Sequence, residues 1–85
     1  LTYKLVYTRR AEKDIKRLDS GVKERIGRSL LVYKEEPLRY ANKLTDSCLG
    51  NFRFRIGDYR VIFDMTGNEI VILRVGHRRE IYKRK

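Results

Sequence analysis

The 85 residues hold one cysteine, one histidine, one proline and one methionine, and only 11 acidic side chains stand against 21 basic ones. A single cysteine, Cys48, excludes a disulfide within the chain, and one histidine beside it is too few ligands for a zinc site. Metal catalysis is therefore not expected, and no cofactor is called for. No apolar run approaches the roughly 18 residues of a spanning helix, and the N-terminal residues lack a signal peptide's apolar stretch. A soluble, cytoplasmic protein with no membrane partner is expected. Repeats, linkers and low-complexity segments are absent too, so residues 1–85 should form one small domain. What is abundant is positive charge: a formal +10 and a pI near 10.1. That exceeds what solubility needs and points to a polyanion: nucleic acid, an acidic protein or, less favoured without an apolar run, an anionic membrane surface.

Periodicity divides the chain into strands and helices. Residues 2–7, "TYKLVY", alternate and are rich in β-branched and aromatic side chains, which predicts a first strand. Thr8 is placed to cap a helix over 9–18, where Ala11, Ile15 and Leu18 recur at helical spacing and Glu12 supports Lys16. "DSG" at 19–21 breaks that pattern and offers Asp19 or Ser20 as the next cap. Val22, Ile26, Leu30 and Tyr33 then renew the stripe until Pro37. Residues 37–50 show no period and read as a connector. Three strands follow over about 51–56, 59–65 and 69–77, joined by a Gly57-Asp58 hairpin and a three-residue "TGN" turn at 66–68. The order β-α-α-β-β-β predicts an α+β fold, a small twisted antiparallel sheet with a helical hairpin packed on one face.

Strand register then sorts the arginines. A two-residue loop at 57–58 pairs Ile56 with Tyr59, Phe54 with Val61 and Phe52 with Phe63, an apolar face suited to the helices. The other face receives Arg55 opposite Arg60, with Arg53 one pair further along. A three-residue turn at 66–68 would add Val71, Leu73 and Val75 to the apolar face and set Arg74 opposite Arg60. Ile62, Ile70 and Ile72 would then fill the other end of the cationic face. Arg78 joins the row if the strand runs past Gly76. Like charges directly opposite in a sheet repel, so an external anion should compensate, and the planar guanidinium fork suits phosphate. The helix charges Lys13, Arg17, Lys23 and Arg25 read instead as a solvated surface, and Cys48 as a small loop thiol.

"ANKL" at 41–44, "FRFRIGDYRVIF" at 52–63 and "RVGHRREIY" at 74–82, in this order of elements, resemble the RelE and ParE superfamily of prokaryotic toxins from toxin-antitoxin systems. The likeness is strongest to RelE-like messenger-RNA interferases and covers essentially the whole chain. It implies ribosome-dependent cleavage of mRNA in the A site by metal-independent attack of a ribose 2′-OH, which inhibits translation. It further implies catalytic roles for Arg55, Arg60, Arg78 and Tyr82 and a basic RNA contact at Arg53; Arg74, from its place in the row, and Lys43 are expected to bind RNA as well, and His77 is counted with the catalytic residues. Arginines would stabilise charge added in the transition state, while Tyr82 would stack on a base or orient the 2′-OH. The departure is at 53 and 55, where the best-known member has lysines. Arginine stays protonated and is a poor base. His77 then becomes a candidate for proton transfer, with Glu80 a second, yet strand parity sets His77 on the face opposite Arg78 unless the chain bends after Gly76. The partners implied are the ribosome, mRNA and a cognate antitoxin whose acidic stretch would meet the +10 surface. Two alternatives stay open: a ParE-like inhibitor of DNA gyrase, and an RNA-binding relative with little catalysis.

Overall fold

Thr8 turns the first strand into the first helix. Strand β1 (Lys4–Tyr7) enters α1 (Arg9–Lys16) through its extended backbone, and its hydroxyl accepts the Ala11 N–H at 3.1 Å. The computed structural model describes residues 2–45 and 48–83. Asp19 takes the N-cap position of α2 (Ser20–Tyr33) without a side-chain capping bond. Ala11, Ile26 and Leu30 are buried, with Ile15, Leu18, Val22 and Tyr33 packed around the same core, so the stripe read from spacing is the buried one.

The stretch 37–50 is more ordered than its lack of period suggests. Helix α2 ends at Tyr33, before Pro37, and Pro37 opens a single helical turn, α3 (Pro37–Tyr40), where its missing N–H costs nothing. Residues Ala41–Lys43 then form β2, antiparallel to β3 (Phe52–Ile56). Three residues are too few to show an alternation. With β4 (Tyr59–Thr66) and β5 (Glu69–His77) the sheet has five strands in the order β1-β5-β4-β3-β2. β1 runs parallel to β5 and the other neighbours are antiparallel, which makes an α+β fold on a mixed sheet.

The β3–β4 register is the one the Gly57-Asp58 turn predicts, including Arg55 opposite Arg60. The β4–β5 register is not. Thr66 pairs with Glu69 across a two-residue turn, Gly67-Asn68, with Gly67 at φ +59. One residue fewer in the loop reverses parity, so Ile70 and Ile72 face the helices, both fully buried, in place of Val71 and Leu73. They are therefore not part of the cationic face. Opposite Ile62/Phe63 the ladder then slips by one, with Leu73 the extra residue, and parity reverses again. Val75 returns to the core, but Arg74 lies opposite Ile62, and Arg60 faces Gly76. The expected row of three arginines is thus a pair.

Two further coverings shape the sheet. Ile62, buried on the side away from the helices, lies beneath Gly50; a Cβ there would stand 2.8 Å from Ile62 Cγ2 and Leu73 Cδ1, so glycine is what allows that approach. Where β1 leaves the sheet, α1 takes over the exposed edge of β5. The Thr8 N–H donates to the Ile72 carbonyl at 3.0 Å, the Thr8 hydroxyl to the Leu73 carbonyl at 3.3 Å, and the Val75 N–H to Asp14 Oδ2 at 3.0 Å.

Candidate nucleic-acid interface

The β3–β4 hairpin turn collects cations. Gly57 supplies the positive φ of +62 that the tight turn requires, which fixes Arg55 and Arg60 as opposite residues on the face away from the helices. Arg60 Nη1 donates to the carbonyls of Gly57 at 2.8 Å and Tyr59 at 2.9 Å, folding along the turn. Arg55 is exposed and has no acceptor among the described residues. Arg78 reaches the same turn by a different route from the one parity suggests. β5 ends at His77, whose carbonyl accepts the N–H groups of Glu80 and Ile81, both at 2.9 Å, and the chain bends. The Arg78 N–H donates to the Asp58 carbonyl at 2.7 Å, and its Nε lies 3.4 Å from Asp58 Oδ1. Arg55, Arg60 and Arg78 therefore share one turn with a single carboxylate, among the described residues, between them.

Behind them the C-terminal residues close over the sheet. Ile81 is buried and approaches Gly76, where an added Cβ would be 3.2 Å from its Cδ1. The Tyr82 hydroxyl accepts from Arg53 Nη1 at 2.8 Å, and the Arg53 guanidinium carbon lies 5.8 Å from the Tyr82 ring centre. Arg53 Nε is buried without a partner in a cleft bordered by Leu44, Thr45 and Leu49.

The remaining expected residues sit elsewhere. His77 pairs with Tyr59, on the helix side of the sheet, and their rings meet edge to face at 5.4 Å. Its Nδ1 accepts the Arg79 N–H at 3.1 Å, so the neutral ring carries its proton on Nε2. The lone pair a base would use is occupied. Glu80 is exposed, 3.5 Å from Lys83 Nζ. Lys43 lies opposite Phe52 on the edge strand, out of phase with the arginines. Arg74 is held by Asp14, with Nε donating to Oδ2 at 2.8 Å. Sequence spacing marks Asp58 only as a turn residue and assigns Asp14 no role. For Asp14 a signal existed: it falls within the helical stripe of Ala11, Ile15 and Leu18, where a carboxylate needs a partner. An apolar groove between α1 and α2, lined by Tyr7, Ile15, Leu18, Ile26 and Leu30, involves none of the arginines at the turn; burial there raises the Tyr7 phenol above its ordinary range.

The α+β fold, a small mixed sheet with helices on one face, is shared with solved RelE toxins. Residues 5–82 match the family described as ParE toxin of type II toxin-antitoxin system, parDE, and the chain belongs to that family, within the RelE/ParE superfamily. Among known toxins it is similar to RelG of Mycobacterium tuberculosis, 43% identical over 51 residues, although this spans only 58% of the chain and 59% of RelG. It is also similar to RelE3 of Methanocaldococcus jannaschii, 28% identical over 88 residues, 93% of this chain and 94% of that protein. Among solved structures, a chain of the toxin-antitoxin complex RelBE2 from M. tuberculosis superposes with a TM-score of 0.83 at 28% identity, covering 92% of this chain and 100% of that one. A variant of the E. coli toxin RelE in the free state gives 0.74 at 26% identity, covering 96% and 92%. No helix among the described residues is long and apolar enough to cross a membrane.

Proposed function

We propose that this toxin is a ribosome-dependent endoribonuclease that cleaves mRNA in the A site without a metal ion and so inhibits translation. The observation that carries the reading is the gathering of Arg55, Arg60 and Arg78 at one hairpin turn, with Asp58 the only acid there among the described residues. Attack of a ribose 2′-OH on the adjacent phosphate adds negative charge to the phosphoryl oxygens, and guanidinium groups gathered at one turn stabilise that charge. Arg53 and Tyr82, two residues back from Arg55 and thus about 7 Å along the strand, would receive the neighbouring nucleotide, the ring stacking on its base once released from Arg53. His77, with its proton on Nε2, can donate to an oxygen of the substrate; accepting the 2′-OH proton would require breaking its bond to Arg79. The proton of the 2′-OH then passes to a group of the ribosome or to water, the P–O5′ bond breaks to leave a 2′,3′-cyclic phosphate, and the departing 5′-oxygen takes a proton from water or a group of the ribosome. Arg74 and Lys43 are outside this set and would at most add to the general attraction for RNA.

An antitoxin partner is part of the proposal. The likeness to a chain of the RelBE2 complex supports it, as does the +10 charge, which an acidic chain would neutralise. The test is to add the toxin to programmed ribosomes and to naked RNA, with and without chelator, and to map cuts by primer extension. Chelator-resistant cuts at the A-site codon are expected, with Arg60→Ala lowering the rate at least about a hundredfold while thermal unfolding is unchanged. Cleavage unaffected by Arg60→Ala would remove the proposed role. The family's description as ParE favours one second reading, inhibition of DNA gyrase; loss of supercoiling activity in the absence of any RNA cleavage would support it.

A further inference from the structure

We infer that Arg25, on helix α2, is a further RNA-binding residue that takes the phosphate next to the one at Arg55, Arg60 and Arg78, so that the RNA strand crosses the edge of the hairpin turn onto the helix side. This rests on the ribonuclease reading above. Arg25 sits in the second turn of α2 and is exposed. Its guanidinium nevertheless lies against Gly57. A Cβ built there would be 2.7 Å from both Nη1 and Nη2 and 2.8 Å from Cζ, so the group spreads over the glycine rather than pointing at it end-on. Gly57 thus has two jobs, supplying the turn's positive φ and leaving room for this side chain.

The backbone carbonyls of the turn are already engaged by other residues. Arg60 holds the Gly57 and Tyr59 carbonyls, and Arg78 holds the Asp58 carbonyl and carboxylate. Arg25 has no acceptor and no acidic partner among the described residues, and neither has Arg55. Its neighbour one turn on, Arg28, is by contrast paired with Glu24 at 3.1 Å. Two cations with unengaged donors therefore flank a third at one glycine, from opposite faces of the sheet. Mutual repulsion at this spacing is relieved by an anion that bridges the turn, and a phosphodiester backbone supplies one charge per nucleotide. His77 is on the same helix side of the sheet, with Nε2–H as its donor, so a strand following this path would meet it next.

The experiment compares the parent, Arg25→Ala, Arg25→Lys and Arg60→Ala in ribosome-dependent cleavage, in binding of a short single-stranded RNA over a salt series, and in thermal unfolding. For Arg25→Ala the expected result is a KM raised about tenfold with kcat retained, and a salt dependence of RNA binding shallower by about 0.7 in log-log slope. Arg25→Lys should restore the slope and only part of KM, since lysine keeps the charge but not the flat fork. An unchanged KM and slope with a lowered unfolding temperature would overturn the inference and leave Arg25 a packing residue of the hairpin. A fall in kcat with KM unchanged would overturn it as well, by setting Arg25 on the reacting phosphate. Loss of cleavage in Arg60→Ala beside an untouched Arg25→Ala sinks this inference alone, whereas a parent that neither binds nor cuts RNA sinks both.

Discussion

Replacing Asp14 by alanine should destabilise the protein far more than an ordinary helix-surface change. Its carboxylate, only 12% exposed, receives the Val75 N–H at 3.0 Å and Arg74 Nε at 2.8 Å; the second contact to Arg74 at 3.4 Å and that to Arg10 at 4.0 Å are too long to add much. Val75 is a core residue on the stretch of β5 that β1 no longer covers, so its N–H loses its acceptor in the variant. A buried donor left without an acceptor costs about 1–3 kcal/mol. Arg74 is 28% exposed and can turn partly to water, so the lost ion pair adds about 0.5–1 kcal/mol rather than the full cost of a buried charge. The sum is about 2–4 kcal/mol, a large part of the roughly 5–15 kcal/mol of a small domain. Urea unfolding followed by circular dichroism, with a slope of about 1 kcal/mol per molar, should show the midpoint lowered by about 2 M or more. Asp14→Asn, which keeps an acceptor for Val75 but not the charge, should lose only about 1 kcal/mol. An Asp14→Ala midpoint within about 0.5 kcal/mol of the parent would show that the edge of β5 finds other partners and would refute the reasoning.

Tyr82→Phe removes the acceptor of Arg53 Nη1, where Nε already lacks a partner, and should cost about 1 kcal/mol in thermal unfolding; if Tyr82 works by stacking, cleavage stays within about threefold of the parent while Tyr82→Ala abolishes it. The Tyr7 phenol, raised by burial, contributes stability that is intact below the ordinary tyrosine range and is lost as pH rises into the alkaline region where the unfolded chain ionises first. Tyr7→Phe should therefore shift alkaline unfolding to higher pH, and an alkaline limb identical to the parent's would count against Tyr7 as its source.

The sequence announced the β3–β4 hairpin because two independent signals agree there: a Gly-Asp pair suited to a two-residue turn, and an alternation that buries Phe52, Phe54 and Ile56 on one side. Nothing comparable constrained β5. "TGN" permits either loop length, and β5 carries apolar residues at both parities, so Val71 and Leu73 looked as good as Ile70 and Ile72. The slip at Leu73 makes any single register right for only half of the strand, so a three-residue turn predicts the core position of Val75 but not those of Ile70 and Ile72. β2 was invisible for want of length, and Arg78 joined Arg55 and Arg60 only through Asp58, a contact that spacing cannot express.

The same limit governs the site. Composition and parity show that arginines are in excess and which strands carry them, but not which have donors to offer a ligand, because that depends on where the few acids and hydroxyls end up. Asp14 comes from α1 and takes Arg74; the tail brings Tyr82 to Arg53; Asp58 takes Arg78 yet keeps it at the turn. Among the described arginines left without an acid are Arg55, Arg60 and Arg25, and Arg25 lies on a helix face that spacing alone marks as ordinary solvated surface. A chain with 11 acids for 21 bases cannot neutralise every cation internally. In this fold three that it leaves over converge at a single glycine turn, which is the arrangement that a polyanion crossing that turn would stabilise.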